Sequence, residues 1–275
     1  MKWWRWMLLC LMLTAIAFVG VVALPSLPRG ARDDAPWEFL IGMSQANLVE
    51  PWRVTMNLEF AEAAAEHDNL RVIYTDAAQD TDRQIADVNM LMGYGIDLLV
   101  ISPNDSEALR PVLAEVYRKI PVVVLDRAVS GEDYTLFIGP DNFRIGYLAG
   151  LRVIELLGEA GGNVVEILGT QDSPPVAARS EGLAQAIADN PGIVIEQQLV
   201  ADWLQDRAED RFKEYAVACK EMADVVVAQS DAMAYGAWIA AKEYRVEGVR
   251  FVGMDGLMGA GGDVDLVEQG VLDAS

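Results

Sequence analysis

From Trp37 onward, short runs rich in Val, Ile and Leu recur at 38–43, 70–75, 96–101, 121–125, 134–138, 163–168, 193–200, 224–228 and 249–253. Between them lie segments whose apolar residues repeat at helical spacing. Val54, Leu58, Ala61 and Ala65 form one stripe, Ile85, Val88 and Met92 a second, and Leu109, Leu113 and Val116 a third. Strand and helix in strict alternation imply βαβ units and parallel sheets. The runs are apolar throughout, as expected of strands covered by helices on both faces. So many strands exceed one ordinary sheet, and the run at 134–138 leads straight into Gly-Pro-Asp-Asn. The expectation is an α/β protein of two doubly wound, Rossmann-like lobes, 37–139 and 140–275, joined by a hinge.

The N-terminus carries a different signal. Met1-Lys2-Trp3-Trp4-Arg5 supplies two positive side chains, and Trp6 to Leu24 is uncharged and mostly apolar. Small residues at Val21-Val22-Ala23 fit a signal peptidase, with cleavage after Ala23. The apolar run is nearly long enough to span a bilayer, so residues 1–24 read either as a secretory leader or as an uncleaved anchor. Cys10 follows two bulky leucines too early in the chain to be a lipid attachment site. Residues 25–36, with Pro, Arg and Asp and no periodicity, read as a linker. Both readings export the remainder of the chain to the periplasm. Mass spectrometry of the exported protein separates them, because cleavage leaves a chain that starts at Leu24.

Composition removes several functions. Forty-two acidic residues against 21 basic give a formal net charge of -21, a surface that repels phosphate backbones and argues against nucleic acid as a partner. Of the two cysteines, Cys219 is left alone in the exported part, so there is no disulfide framework. The single histidine, His67, stands beside Glu66 and Asp68 late in a helical segment, on a solvated face. No histidine-assisted nucleophile and no histidine metal cluster can therefore be assembled. A phosphate-binding GxxxxGK[ST] loop is absent. The GLMGAGG run at 256–262 reads as a turn. The acid-rich segment 80–88 lacks the glycine of a calcium loop and reads as a polar helix start. No metal and no cofactor is expected.

In doubly wound sheets ligands bind outside the carboxyl ends of the strands. The residues placed there are polar: Ser44-Gln45, Asp76, Ser102-Pro103-Asn104, Asp126-Arg127, Asp141-Asn142, Thr170-Gln171, Asp202-Trp203, Ser230-Asp231 and Asp255. Asp76, Asn104, Asp141 and Asp202 read more readily as caps of the helices that follow. Asp126-Arg127 does not, since a charged pair at a buried strand end needs a partner or a polar ligand. Carboxylates, guanidinium groups and amides together suit a neutral polyol, whose adjacent hydroxyls both donate and accept. Trp52 and Trp203, on opposite lobes, offer flat apolar faces for a sugar ring; packing against their own helices is an equal alternative.

The order IGMSQ…PWR, ISPNDSEAL, IPVVVLDR, IGPDNFRIGYLAG, VVEILGT, VAARSEGLAQAI, VAQSDAMAYGA and FVGMDG resembles the periplasmic sugar-binding proteins of ABC importers, over residues 37–275. The likeness is to the ribose/galactofuranose branch. The Trp-Arg pair is closer to the galactofuranose binder than to the ribose binder, which carries two phenylalanines there. The resemblance implies a non-enzymatic, monomeric binder that delivers a monosaccharide to a membrane permease. It implies that Trp52 stacks on the sugar and Arg53 hydrogen-bonds it. Asp126 and Arg127 would hold hydroxyls from the first lobe, and Arg179 and Asp255 from the second, with Trp203 where the family often has an aromatic. Ser44 and Gln45 would line the wall at the end of the first strand. Ser230 departs from the asparagine usual before Asp231. A membrane-anchored sugar sensor is the alternative function, and a glycosidase using two of Asp126, Asp231 and Asp255 a lesser one. Family members continue past a final strand at 270–275, so the expectation from the resemblance is that this sequence is part of a longer polypeptide.

Overall fold

The computed structural model describes residues 37–171, 173–258 and 263–275. The leader and linker read in the sequence, and most of the glycine-rich turn, lie outside these residues. Among the described residues no helix is long and apolar enough to cross a membrane.

Two all-parallel sheets organise the chain. The first contains β1 (Phe39–Gln45), β2 (Leu70–Asp76), β3 (Leu98–Ser102), β4 (Val122–Leu125) and β5 (Leu136–Ile138), in the order β2-β1-β3-β4-β5. The second contains β6 (Gly162–Leu168), β7 (Ile193–Val200), β8 (Val225–Ala228) and β9 (Arg250–Val252), in the order β7-β6-β8-β9. Every strand falls within a few residues of an apolar run. The chain passes from the first sheet to the second between Ile138 and Asn142.

Helices cover the sheets. In the first lobe α1 (Pro51–Ala65) lies on one face, and α2 (Thr81–Gly93) and α3 (Arg110–Tyr117) on the other. In the second, α4 (Asn142–Leu157) and α5 (Pro174–Ile187) pack on one face, and α6 (Gln205–Ala218) and α7 (Asp231–Glu243) on the other. A last short helix, α8 (Asp263–Glu268), follows β9. Strand β8 shows why the runs do not alternate. Val225 and Val227 enter the core under α4 and α5, Val226 and Ala228 the core under α6 and α7, and all four are buried.

Some local readings need correction. The stripe Val54, Leu58, Ala61, Ala65 does not face the core: Val54 is 38 % exposed and Leu58 58 %. Helix α1 instead turns Arg53, Met56 and Phe60 inward, with the last two against Ile41, Met43 and Val100. Its rotation follows from the polar pocket that Arg53 enters, described below. The second and third stripes do face the core. Of the four expected caps only Asp141 caps a helix, accepting from Arg144 N at 2.9 Å. Asp76 accepts from Ala78 N in a local turn, Asn104 bridges Gln79 and Thr81, and Asp202 pairs with Arg207. Residues 270–275 do not form a final strand. Ala274 makes one isolated bridge with Val252, and Asp273 holds the segment by accepting from Phe251 N and pairing with Arg250. His67 lies exposed just past the end of α1.

Helices α4 and α5 touch backbone to backbone. A Cβ on Gly146 would stand 1.9 Å from the carbonyl oxygen of Arg179, and one on Gly182 2.0 Å from that of Phe143. The contact fixes where α5 carries Arg179. Gly146→Ala is expected to separate the helices, at a cost of about 1–3 kcal/mol on the scale of overpacking. A thermal melt checks the loss, and ligand titration should weaken in parallel because the Arg179 backbone must shift.

Candidate functional site

In each lobe the strand order reverses beside the first strand, and an arginine is anchored at that reversal. In the first lobe Gln45 and Ser102 are register partners at the ends of β1 and β3. Arg53, fully buried in the first turn of α1, donates through Nη1 to Gln45 Oε1 at 3.3 Å and to Ser102 Oγ at 2.6 Å. Its Nε donates to Glu50 Oε2 at 3.1 Å and its Nη2 to Asp126 Oδ2 at 3.2 Å. A guanidinium has five N–H donors, and protein groups accept from all but one. In the second lobe Arg179, on α5, donates through Nε to Asn142 Oδ1 at 2.9 Å and through Nη1 to the carbonyl of Gln229, just beyond β8. The same Nη1 lies 3.7 Å from Asp255 Oδ1.

Backbone geometry at the strand ends aims these groups. Asp126 has φ 64°, and Arg127 N donates across it to Leu125 O at 2.7 Å. This tight turn at positive φ is rarely adopted by residues other than glycine, and such strain clusters at functional sites. It throws Asp126 and Arg127 into the space above the sheet. Across the cleft Asp202 and Trp203 also have positive φ, 51° and 67°. The Trp203 indole lies on Gly169, where a Cβ would come within 2.0 Å of the ring. The guanidinium carbons of Arg127 and Arg179, from opposite lobes, stand 5.9 and 5.4 Å from the ring centroid, within cation–π range. The indole Nε1 is buried and has no hydrogen-bond partner among the described residues.

These side chains surround a cavity of about 420 Å³ of atom-free space, part of it open to solvent, lined from both lobes by Glu50, Pro51, Trp52, Arg53, Asp126, Arg127, Pro175, Arg179, Trp203, Ser230, Ala232 and Asp255. A wider polar cavity adjoins it and shares Glu50 and Arg127. Of the residues expected from the sequence, Trp52, Arg53, Asp126, Arg127, Arg179, Trp203, Ser230 and Asp255 line the inner cavity. Ser44, Gln45 and Asp231 do not. Ser44 lies behind the wall and accepts from Gln84 Nε2, and Gln45 accepts from Arg53. Asp231 is wholly buried, and its Oδ2 accepts from Asp255 N at 2.8 Å, Gly256 N at 2.7 Å and Ser275 Oγ at 2.5 Å. It therefore holds the loop that carries Asp255. Ser230 caps α7 by accepting from Met233 N at 3.2 Å.

Sequence reasoning missed Glu50 and Gln229, and it placed Asn142 at a strand end without giving it a role. Glu50 ion-pairs with Arg53 at 3.1 Å and with Arg127 at 3.6 Å. The available signal was an acid three residues before Arg53 at the start of a helix. Asn142 and Gln229 act by orienting Arg179, a role without a linear signature.

Electrostatics follow burial. Arg127 is lowered to about 10, chiefly by desolvation and then by neighbouring Arg53, with Glu50 and Asp126 opposing. Asp255 is raised from 3.8 to about 7 by burial, against Arg179 and with help from Asp231 and Asp263. Asp263 is also raised to about 7, by burial and then by Asp231. The three carboxylates of Asp231, Asp255 and Asp263 converge within 4.8 Å.

This fold and site define a class: two parallel α/β lobes that present polar and aromatic side chains to a shared cleft, as solute-binding proteins do. The sequence profile described as periplasmic binding protein domain matches residues 41–275. The chain belongs to that family, type I periplasmic binding proteins, and is a binding protein rather than an enzyme. It is 28 % identical over 246 residues to the xylitol-binding protein of Mycolicibacterium smegmatis, covering 88 % of this chain and 70 % of that one. It is also 28 % identical over 209 residues to the galactofuranose-binding protein of Escherichia coli, covering 74 % of this chain and 65 % of the relative. Among solved structures, the fructose-binding periplasmic domain of a hybrid two-component system superposes with a TM-score of 0.80 at 34 % identity, over 86 % of this chain and 78 % of that one.

Because Asp255 and Asp263 bind protons more tightly in the folded state than unfolded, their stabilisation is complete below about pH 4 and is lost as pH rises through about 7. Asp255→Asn removes one such group. Its melting temperature, relative to wild type without ligand, should rise as pH is raised from 4 to 8. A difference that stays constant across that range contradicts the assignment.

Proposed function

We propose that this protein holds one neutral monosaccharide or small polyol between its lobes in the periplasm and hands it, as a monomer, to the permease of an ABC importer. The observation that carries this reading is the convergence of three guanidinium groups, three carboxylates and two indoles, drawn from both lobes, on one small cavity. Arg127 and Asp126 meet hydroxyls from the first lobe, and Arg179 and Asp255 from the second. Trp52 faces the C–H surface of the ring, and Trp203 backs Arg127 and Arg179. Arg53, its donors nearly all engaged, holds Asp126 in place and offers the ligand at most one N–H. Relatives named for xylitol, galactofuranose and ribose support the ligand class.

A second reading has its own support. The superposed fructose-binding domain belongs to a two-component system. On that reading residues 1–24 stay in place as an anchor and ligand occupancy is passed to a signalling partner.

Calorimetry against pentoses, hexoses and their alditols is expected to give one site, with the ligand recovered chemically unchanged. Arg127→Ala and Arg179→Ala should each lose about 2–4 kcal/mol of binding, since each leaves buried acceptors unpaired in a closed cleft. Unaltered affinity in either variant removes that residue from the site.

A further inference from the structure

We propose that Glu50 restricts this cavity to uncharged ligands, and that without its carboxylate the site admits sugar acids. The inference rests on the reading of the cleft as a sugar site. Three arginines facing one buried space would ordinarily make a receptor for carboxylate or phosphate. Here each is matched. Asp126 accepts from Arg53 at 3.2 Å, and Asp255 lies 3.7 Å from Arg179. Glu50 reaches both remaining positions, with Oε2 3.1 Å from Arg53 Nε and Oε1 3.6 Å from Arg127 Nη2.

Arg127 depends on this contact. Its side chain is 4 % exposed, and Glu50 is its ion-pair partner among the described residues. Glu50 is itself buried and held in place: Asn47 Nδ2 donates to its Oε1 at 2.6 Å, and its backbone N–H donates to Asn47 Oδ1 at 3.3 Å. A ligand carboxylate approaching Arg127 must therefore come close to a fixed, buried carboxylate, and like charges at that range repel. A neutral hydroxyl meets no such repulsion and can accept from Arg127 on its free side. Glu50 also lines the outer cavity, so it meets a ligand on entry as well as in place.

The side chain caps no backbone group of α1. Glu50 occupies the N-cap, but its carboxylate makes no capping bond, and Pro51 follows in the first turn. Glu50→Gln keeps the shape and an acceptor while removing the charge, and Glu50→Ala removes both.

The test is calorimetry at pH 8, above the value of Asp255, with matched probes: D-galactose and D-galacturonate, D-glucose and D-glucuronate, xylitol and xylonate. Wild type is expected to bind at least one neutral member and to bind its acid at least 100-fold more weakly. Glu50→Gln or Glu50→Ala, shown folded by circular dichroism, should bind that acid at least 10-fold more tightly than wild type does, with affinity that falls as salt is added. Wild type that accepts an acid as well as its neutral partner overturns the proposal without recourse to a variant. Folded variants that keep the wild-type ratio of neutral to acid also overturn it, while leaving the sugar reading intact. Failure of wild type to bind any neutral probe sinks the sugar reading and this inference with it.

Discussion

Arg53 is a fully buried cation, and much of the first lobe is arranged around it. An unpaired charge at that depth would cost several kcal/mol, so its donors must be met by protein. Glu50, Gln45, Ser102 and Asp126 meet them, and each lies at the carboxyl end of a strand or the mouth of a helix. One guanidinium thus ties β1, β3, the turn after β4 and the start of α1 together at the point where the strand order reverses. It also sets the rotation of α1, drawing Met56 and Phe60 inward and leaving Val54 and Leu58 toward solvent.

The second lobe repeats the device with looser ties. Arg179, one turn further along α5 than Arg53 is along α1, is held by Asn142 and the Gln229 carbonyl, and it keeps more of its donors for the cleft. The difference has a functional sense. The first lobe presents a rigid, charge-matched wall, and the second brings an arginine and an indole across to meet it. Arg127 and Arg179 both face the Trp203 ring, so the two cations share one aromatic surface. Strained backbone at Asp126, Asp202 and Trp203 is tolerated because ion pairs and the close packing of Trp203 on Gly169 over-determine those positions.

Behind this front a second rank of polar groups carries no ligand yet fixes those that would. Asp231 grips the loop bearing Asp255 through two backbone N–H groups. Glu166, buried at the centre of the second sheet, accepts from Ser180, Gln198 and Gln229, and Gln229 in turn supports Arg179. Glu166, Ser180, Gln198 and Gln229 thus form one connected network, as expected where an orphan would be expensive.

The linear sequence settled the architecture, because strand and helix periodicity report burial on one or two faces and need no knowledge of partners. It also exposed most of the site, since Asp126, Arg127 and Asp255 lie at strand ends and Arg179 on the second turn of the helix that follows β6, near where a doubly wound fold puts its ligands. It could not fix which face of α1 turns inward. The apolar spacing of Val54 and Leu58 favoured one face, and the pairing energy of a single arginine imposed another. Nor could it rank the polar strand-end residues, for a serine that caps, an aspartate that grips a loop and an aspartate that faces the cleft are alike in one dimension. Glu50 is the plainest case. Its partners Arg53 and Arg127 are three and 77 positions away, and only folding brings both guanidinium groups to one carboxylate.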